Sequence, residues 1–277
     1  MKKNLKYLLK ETLAQKELEL VPSSFDLVGD MLIFSEFPKE LAKKENAIGE
    51  VILENYPHVK VILKKIKKYS GKFRTPKLKV IAGEKRKEAV CRENNVSLKL
   101  DVEKVYFSPR MSSERKRIAG LIKPNESVLV MFSGSGIYPL VIAKNTKCKE
   151  VYGIEINPIA HKYAIENVKK NKLENKIRLF FGDVKKIMPK LDKKFDRILM
   201  PLPKGAVIFL ELASKQIKKK GTVHLYDFLH EGEFSKAEEK AKNTCEKLKK
   251  KCKILSTVKC GQYSPGFYRV CVDFEVS

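Results

Sequence analysis

The sequence contains no uninterrupted apolar run of the roughly 20 residues that a membrane-spanning helix needs. Its opening residues, MKKNLKYLLKETLAQKELEL, carry charges too densely for the apolar core of a signal peptide. From these two absences we expect a soluble protein located in the cytoplasm.

Cysteine and histidine are scarce, and neither is arranged like a metal site. The six cysteines include no C-x-x-C pair, and the four histidines form no ligand cluster with them along the chain. The sequence therefore predicts free thiols and no metal cofactor.

Acidic residues are also in short supply. Against 33 Asp and Glu stand 58 Lys and Arg, which gives a net charge of +25. A charge of this size attracts polyanions, of which nucleic acid is the commonest. A lysine-rich surface also occurs in heat-adapted proteins, so the charge alone does not decide between these explanations. With 43% hydrophobic residues, the chain is too apolar to be disordered.

The first part of the chain, residues 1–107, has the pattern of a small α+β domain. Leucines at helical spacing predict an amphipathic helix over residues 2–20, and a second helix is expected over residues 38–56. Gly29-Asp30 splits two apolar runs and predicts a hairpin. Five short strands are expected between residues 59 and 107, the last being KVYF at its end.

The second part, residues 108–277, alternates strand and helix, which predicts a parallel sheet covered by helices. Only GQYSPG separates the last two strands, which favours five parallel strands closed by an antiparallel hairpin. We therefore predict an α/β fold, a Rossmann-like class I methyltransferase domain preceded by the small α+β domain. Strands are expected at 127–132, 150–155, 176–181, 195–200, 221–228, 253–260 and 267–276, with helices at 137–146, 158–172, 184–190, 205–218 and 233–250.

A nucleoside site is expected where the first of these strands ends. Gly134 and Gly136 lie in the turn FSGSGIYP, where the backbone must approach a ligand closely. Glu155 ends the next strand and can accept hydrogen bonds from both ribose hydroxyls, and Asp183 follows the third strand, where it can receive an adenine amino group. Pro139 occupies the third position of the dinucleotide motif, so S-adenosylmethionine fits better than NAD.

Four segments carry a resemblance to a known family: VYFSPRMSSERKRI (105–118), MFSGSGIYPLVIAKN (131–145), VYGIEINPIAHKYAIENVKKNKL (151–173) and DRILMPLPKGAVIFL (196–210). Together they resemble the archaeal and eukaryotic tRNA (guanine-37-N1)-methyltransferases. The similarity also extends through the small domain, in VPSSFDLVGD, GKFRTPKLKVIAGE and CRENNVSLKLDV. The resemblance implies an S-adenosylmethionine-dependent transferase that acts on the anticodon loop of tRNA, as a monomer without a protein partner.

The resemblance also implies roles for individual residues. Glu114 matches the general base that removes the N1 proton, although by itself it could be a solvated helix charge. Arg74 matches the cation that stabilises charge on O6; the alternatives are a phosphate contact or a plain strand charge. Tyr106 matches a position close to the base, or it packs between the domains. Pro201 and Pro203 would form a rigid wall for the flipped base, and the cofactor site would be formed by Arg115, Phe132, Gly134, Gly136, Glu155, Ile156, Asp183, Val184, Pro201 and Leu202.

Two departures from the family pattern point to a subgroup. Met200-Pro201-Leu202-Pro203 stands where most members have MNLP, and Val130 to Gly134 stand where most have DMFAG. Both resemble the archaeal subgroup of the wyosine pathway, some of whose members also methylate C7 of the tricyclic precursor. Archaeal relatives often carry a further N-terminal domain that contacts the tRNA elbow, and we expect this chain to lack it. Arg110 and Lys204 are additional candidates for contacts at the mouth of the site.

Other functions stay open at this point. The sister family transfers an aminocarboxypropyl group from the same cofactor to the same tRNA position. A non-catalytic RNA-binding protein is the second alternative, although Glu114, Glu155 and Asp183 all remain in register. A small-molecule methyltransferase is the third, but it would leave the charge of +25 without a purpose.

Overall fold

The computed structural model describes residues 4–202 and 205–277, apart from the side chain of Lys68. The chain divides into two compact units. The first contains Met1–Arg92 and Ser97–Pro109, and the second contains Glu93–Val96 and Arg110–Ser277. The boundary predicted after residue 107 lies close to the end of the first unit.

The first unit is built on a four-stranded sheet in the order β1-β2-β3-β4. β1 and β2 form the predicted antiparallel hairpin at Gly29-Asp30, and β2 runs parallel to β3 through a helical crossover. Ile48 and Ile52 of that crossover helix are fully buried against the sheet. The elements are α1 (Leu5–Leu8), α2 (Gln15–Leu20), β1 (Phe25–Val28), β2 (Met31–Phe34), a 3₁₀ helix (Lys39–Lys44), α3 (Glu45–Asn55), β3 (Val61–Ser70) and β4 (Thr75–Gly83).

Two predictions for this part of the chain are wrong. The expected helix over residues 2–20 is broken into α1 and α2, because the Glu17 carboxylate accepts the Ala14 N–H at 2.8 Å and starts a new helix there. The segment KVYF is not a strand. The Asp101 carboxylate accepts the backbone N–H groups of Glu103 and Lys104, which turns the chain at the end of the preceding strand.

A two-stranded sheet of β5 (Glu88–Glu93) and β6 (Val96–Asp101) carries the chain between the units. The turn between these strands, Glu93–Val96, belongs to the second unit. A short 3₁₀ helix (Pro109–Met111) follows where the first unit ends, and α4 (Ser112–Leu121) lies in the second unit.

The second unit contains a seven-stranded sheet with the order β12-β13-β11-β10-β7-β8-β9. Its five central and edge strands β11, β10, β7, β8 and β9 are parallel, and β13 and β12 close the sheet as an antiparallel hairpin. This is the predicted methyltransferase order, and the fold class is confirmed. The elements are β7 (Ser127–Met131), α5 (Ile137–Asn145), β8 (Glu150–Glu155), α6 (Pro158–Lys170), β9 (Ile177–Phe181), α7 (Val184–Ile187), a 3₁₀ helix (Met188–Leu191), β10 (Phe195–Met200), a 3₁₀ helix (Ala206–Phe209), α8 (Leu210–Gln216), β11 (Ile217–His230), α9 (Ser235–Lys247), β12 (Cys252–Ser264) and β13 (Phe267–Val276).

One face of this sheet is covered by α7, α8 and α9. Buried side chains of these helices, such as Leu210 and Ala241, pack against strand residues such as Ile198 and Val272. α4 and α5 lie on the other face, where Tyr138 and Glu114 reach Tyr226 of β11. No helix in the described ranges is long and apolar enough to span a membrane.

Candidate functional site

The turn after β7 brings backbone donors to the end of β8. Gly134 and Gly136 both have positive φ, at 57° and 86°, which is the conformation that favours glycine. The Gly134 N–H donates to Glu155 Oε2 at 2.7 Å, and the Asn157 N–H donates to Glu155 Oε1 at 2.7 Å. The Ile156 N–H contributes a third backbone hydrogen bond to this carboxylate. At least one of its four acceptor positions is therefore left for a further donor, such as a ribose hydroxyl.

Burial and hydrogen bonds shift the pKa of Glu155 in opposite directions. Glu155 is only 9% exposed, and burial raises its pKa above the ordinary value although the N–H groups of Asn157 and Gly134 lower it. A buried carboxylate held by the backbone N–H groups of Gly134, Ile156 and Asn157 is fixed in position before any ligand arrives.

The residues that follow β9 line this site next to Glu155. The Gly182 N–H donates to the Glu155 carbonyl at 2.8 Å, which holds the ends of β8 and β9 together. Asp183 is half-buried and begins α7 by accepting the Lys185 N–H at 2.9 Å. Val184 is buried and Ile156 is half-buried beside them.

Two hydroxyl groups in the turn after β7 are further evidence for a ligand site at this edge of the sheet. Ser133 Oγ and Ser135 Oγ are buried and have no hydrogen-bond partner among the residues that the structure describes. Buried polar atoms are normally paired, so unpaired ones indicate a place for a ligand or for water. Together with Glu155, these groups fit a nucleoside cofactor that carries hydroxyl and amino groups and no phosphate.

The end of β10 lies at the same edge of the sheet. Pro201 and Leu202 are half-buried, and Leu202 packs against the apolar core of the second unit. Phe132 has a φ of 60° and packs its ring edge-on against Phe209, with 5.0 Å between the ring centroids. The predicted site residues Pro203 and Lys204 lie outside the described residues.

Glu114 lies on α4, and it is 4% exposed. Arg117 donates to it twice, from Nε to Oε2 at 2.7 Å and from Nη2 to Oε1 at 2.8 Å. Tyr226 Oη donates to Oε1 at 2.7 Å. Three of the four acceptor positions of the carboxylate are thus used, and the remaining one is on Oε2.

Glu114 belongs to a larger buried polar network. Arg117 Nη1 donates to Asp273 at 2.6 Å, and His224 Nδ1 lies 2.5 Å from the other Asp273 oxygen. Burial favours the neutral form of Asp273, but the contacts with His224 and Arg117 hold its pKa well below the ordinary value. Burial lowers the pKa of His224, so the imidazole is neutral and accepts from Arg197 Nη1 at 2.7 Å through Nε2.

The network corrects one expectation, that no histidine clusters with cysteine. His224, Cys271 and Asp273 place their ligand atoms within 4.8 Å of one another. The Cys271 thiol donates to Asp273 at 3.2 Å, while Arg117 and Arg197 contact the same group of residues. Arg117 is the cation paired with Asp273, and Arg197 donates to His224, so both groups already have partners and the cluster is a hydrogen-bond network.

Arg115 is fully buried and paired with a carboxylate. Its Nε and Nη2 donate to Glu93 at 2.5 and 2.6 Å, and its guanidinium lies 6.0 Å from the ring centroid of Tyr138. Its predicted place in the cofactor site stays a prediction.

Arg74 and Tyr106 lie in the first unit, where the structure brings them near each other. Partial burial lowers the pKa of Arg74 from its ordinary value, and Tyr106 opposes this effect. Arg74 has a φ of 50°, a left-handed conformation that is uncommon outside glycine. The Tyr106 ring is 39% exposed and packs edge-on against Tyr69, 5.2 Å between centroids.

The sequence did not identify Arg117, Tyr226, His224 and Asp273 as parts of the site. A signal for the three strand residues among them exists in the alternation of the last strands. His224 and Tyr226 share one face of β11, and Cys271 and Asp273 share that face of β13, where an apolar sheet would carry aliphatic side chains.

The fold and this edge together define a class of protein. A parallel sheet with a closing antiparallel hairpin, a glycine turn after β7 and an acidic residue at the end of β8 define a Rossmann-like methyltransferase domain. Residues 89–255 match the model of the TRM5/TYW2 methyltransferase domain, and residues 5–86 match the TYW2 N-terminal domain. The chain belongs to the TRM5/TYW2 methyltransferase family, as its sequence motifs predicted.

Individual relatives agree with this assignment. The chain is 39% identical over 264 residues to the tRNA (guanine(37)-N(1))-methyltransferase Trm5b of Pyrococcus abyssi, covering 95% of this chain and 78% of the relative. A solved complex of aTrm5 and tRNALeu superposes with a TM-score of 0.85 at 30% identity, covering 100% of this chain and 79% of that one.

Relatives in the family differ in the activity that their names state. The chain is 35% identical to the tRNA (guanine(37)-N(1))/4-demethylwyosine(37)-methyltransferase Taw22 of Nanoarchaeum equitans, covering 76% of this chain and 86% of the relative. It is 33% identical to a tRNA(Phe) (4-demethylwyosine(37)-C(7)) aminocarboxypropyltransferase of Methanocaldococcus jannaschii, covering 90% of this chain and 96% of the relative.

Proposed function

We propose that this protein transfers a methyl group from S-adenosylmethionine to N1 of guanosine 37 in tRNA. Methylation of C7 of the tricyclic wyosine precursor at that position is a further candidate activity, which the relative named for 4-demethylwyosine methylation supports. The proposal rests on two buried carboxylates in the second unit. Glu155 lies in a nucleoside site, and Glu114 keeps one open acceptor position. The relatives named for guanosine 37 methylation and the structure solved with tRNA support the substrate.

The cofactor supplies an electrophilic methyl group on its sulfonium sulfur. Glu155 would accept hydrogen bonds from the ribose hydroxyls at the acceptor positions that its backbone donors leave open. Asp183 would accept a hydrogen bond from the adenine amino group. Ile156, Val184 and Leu202 would supply apolar surface around the adenine ring. Phe132, Gly136, Pro201 and Arg115 complete the cofactor site in this proposal.

Glu114 is the general base of the proposed reaction. Guanine N1 carries a proton at neutral pH, so this proton must leave as the methyl group bonds to N1. The open position on Oε2 accepts that proton, and the bonds from Arg117 and Tyr226 hold the carboxylate while it does so. The methyl carbon bonds to N1 as its bond to sulfur breaks, which releases S-adenosylhomocysteine. The proton of guanine N1 passes to Glu114.

The remaining predicted residues act on the target nucleotide. Arg74 stabilises the negative charge that spreads to O6 as the N1 proton leaves, and Tyr106 contacts the base. Pro201, half-buried at the end of β10, gives the wall against which the flipped base rests. Single-stranded loops release a base at less cost than duplexes do, which suits a target in the anticodon loop.

The test is methyl transfer from labelled S-adenosylmethionine to tRNA-Phe transcripts with G37 or A37. We expect incorporation only with G37, and Glu114→Gln should reduce the rate by about 100-fold or more while cofactor affinity is unchanged. Glu174→Gln, an exposed carboxylate, is the matched control. Equal incorporation into A37, or a Glu114→Gln enzyme with the wild-type rate, would contradict the proposal.

Aminocarboxypropyl transfer is the second candidate function. Residues 5–86 match the TYW2 N-terminal domain, and the relative from M. jannaschii carries that activity in its name. Chromatography of the nucleoside released from labelled cofactor separates the two reactions. Methyl transfer releases S-adenosylhomocysteine, whereas aminocarboxypropyl transfer releases methylthioadenosine.

We also infer that the protein acts as a monomer in the cytoplasm, with tRNA as its macromolecular partner. The net charge of +25 supports binding to an RNA polyanion. Sedimentation of the protein with and without tRNA tests the monomer, which should bind one tRNA per chain.

A further inference from the structure

β11 and the closing hairpin extend well beyond the edge that carries the cofactor site. Met200, the last residue of β10, pairs with Leu225, yet β11 continues to His230 opposite Phe267. At roughly 3.3 Å per residue, the extra residues 226–230 project about 17 Å past β10. We call this extension, residues 226–230 and 258–271, the arm.

Aromatic side chains cluster on the arm. The Phe228 ring centroid lies 4.6 Å from that of Tyr263 and 5.8 Å from that of Phe267, and His230 lies 4.7 Å from Phe267. The Arg269 guanidinium lies 5.2 Å from the Phe228 ring centroid. These five residues are called the aromatic platform below. Tyr263 is 65% exposed, so the platform presents an open ring to solvent.

The platform lies on the same sheet face as the proposed base. Successive side chains of a strand alternate between faces, so Tyr226, Phe228 and His230 share one face of β11. Tyr226 is the residue that donates to Glu114. Phe228 is two residues farther along the strand, or roughly 7 Å. An occupant of the platform would therefore lie beside a nucleotide held at Glu114.

We propose that the aromatic platform stacks an unpaired RNA base adjacent to the nucleotide that is methylated. The proposal rests on the proposed function, because it takes the anticodon loop as the occupant. Aromatic rings stack on any base that is not already in a duplex, and a guanidinium beside them attracts the phosphates. The net charge of +25 favours RNA over an apolar peptide as the occupant of an exposed surface.

The experiment measures equilibrium binding to the full chain saturated with S-adenosylhomocysteine. The probes are two fluorescent RNA hairpins with the same stem, one with the anticodon loop and one closed by a compact tetraloop. Tyr263→Ala should weaken binding of the anticodon hairpin about tenfold and leave the tetraloop hairpin unchanged. Tyr263→Phe, which keeps the ring, should bind like the wild type. Tyr7→Ala is the matched control, because Tyr7 is a tyrosine of similar exposure, 67%, in the first unit.

A second measurement reports stacking directly and uses the wild type as its reference. 2-Aminopurine placed in the loop next to position 37 should be quenched by the wild-type protein and less so by Tyr263→Ala. Equal affinity and equal quenching in the two proteins would overturn the proposal, as would equal weakening of both hairpins. Binding does not require methyl transfer. Tyr263→Ala could weaken binding of the anticodon hairpin alone while the wild-type protein methylates neither G37 nor A37. That result would support stacking on the platform and reject the proposed function.

Discussion

Arg117 and Glu114 form a bidentate ion pair within one turn of α4, with both bonds between 2.7 and 2.8 Å. The remaining nitrogen of Arg117 reaches Asp273, 156 residues away along the chain. One guanidinium therefore fixes the proposed base to a strand of the sheet. Bidentate pairs of this kind fix orientation as well as charge, so Arg117 is a positioning residue for Glu114.

Removing the guanidinium should destabilise the fold. Arg117→Met leaves Glu114 and Asp273 buried without their cation, and we expect a loss of about 3–5 kcal/mol in the free energy of unfolding. Urea denaturation followed by circular dichroism measures this. Arg178→Met is the control, since Arg178 is exposed and its pair with Glu150 is long at 3.7 Å, so that variant should change stability by less than about 0.5 kcal/mol. A loss below about 1 kcal/mol for Arg117→Met would contradict the role of the pair.

Cofactor binding should depend on pH through Glu155. Burial raises the pKa of this carboxyl above the ordinary value of 4.5, and hydrogen bonds from ribose hydroxyls favour the ionised form. S-adenosylmethionine affinity should therefore fall as the pH is lowered through the raised pKa of Glu155. Calorimetric titration at several pH values measures it. Glu155→Gln should bind more weakly at neutral pH and lose this pH dependence, whereas a variant with the wild-type profile would argue for another titrating group.

Acid should destabilise the protein in two stages, because His224 and Asp273 of the buried network titrate differently in the folded and unfolded chain. The pKa of His224 is lowered by burial, so below about pH 6.5 the unfolded chain binds a proton that the folded one does not. The pKa of Asp273 is also depressed, and the stability that it contributes above about pH 4 is lost as the pH falls further. Both stages lower the free energy of unfolding on acidification. Denaturation midpoints for His224→Asn should lack the stage near neutral pH, and an unchanged profile would show that His224 does not contribute.

The parts of the site that are local in sequence could be predicted, whereas the parts built across the sheet could not. Gly134 and Glu155 lie 21 residues apart within one strand–helix–strand unit, and their spacing predicts that both lie at the same edge of the sheet, where the structure joins them by a hydrogen bond. Tyr226 and Glu114 lie 112 residues apart, and only the strand order places β11 beneath α4. The break between α1 and α2 was missed for a different reason, since leucine spacing does not show a carboxylate that starts a second helix.

Substituting the residue at position 201 should change the preference between the two proposed target bases. The resembled family usually has Asn where this chain has Pro201, which is half-buried at the end of β10 and offers no side-chain hydrogen bond. Pro201→Asn restores an amide that can bond guanine and that leaves less room for a bulkier tricyclic base. One such hydrogen bond contributes about 1 kcal/mol, so kcat/KM for guanosine N1 relative to precursor C7 should rise about fivefold. Pro201→Ala removes the ring without adding the amide, and it separates loss of rigidity from gain of the bond. If Pro201→Asn and Pro201→Ala show the same ratio as the wild type, position 201 does not select the base.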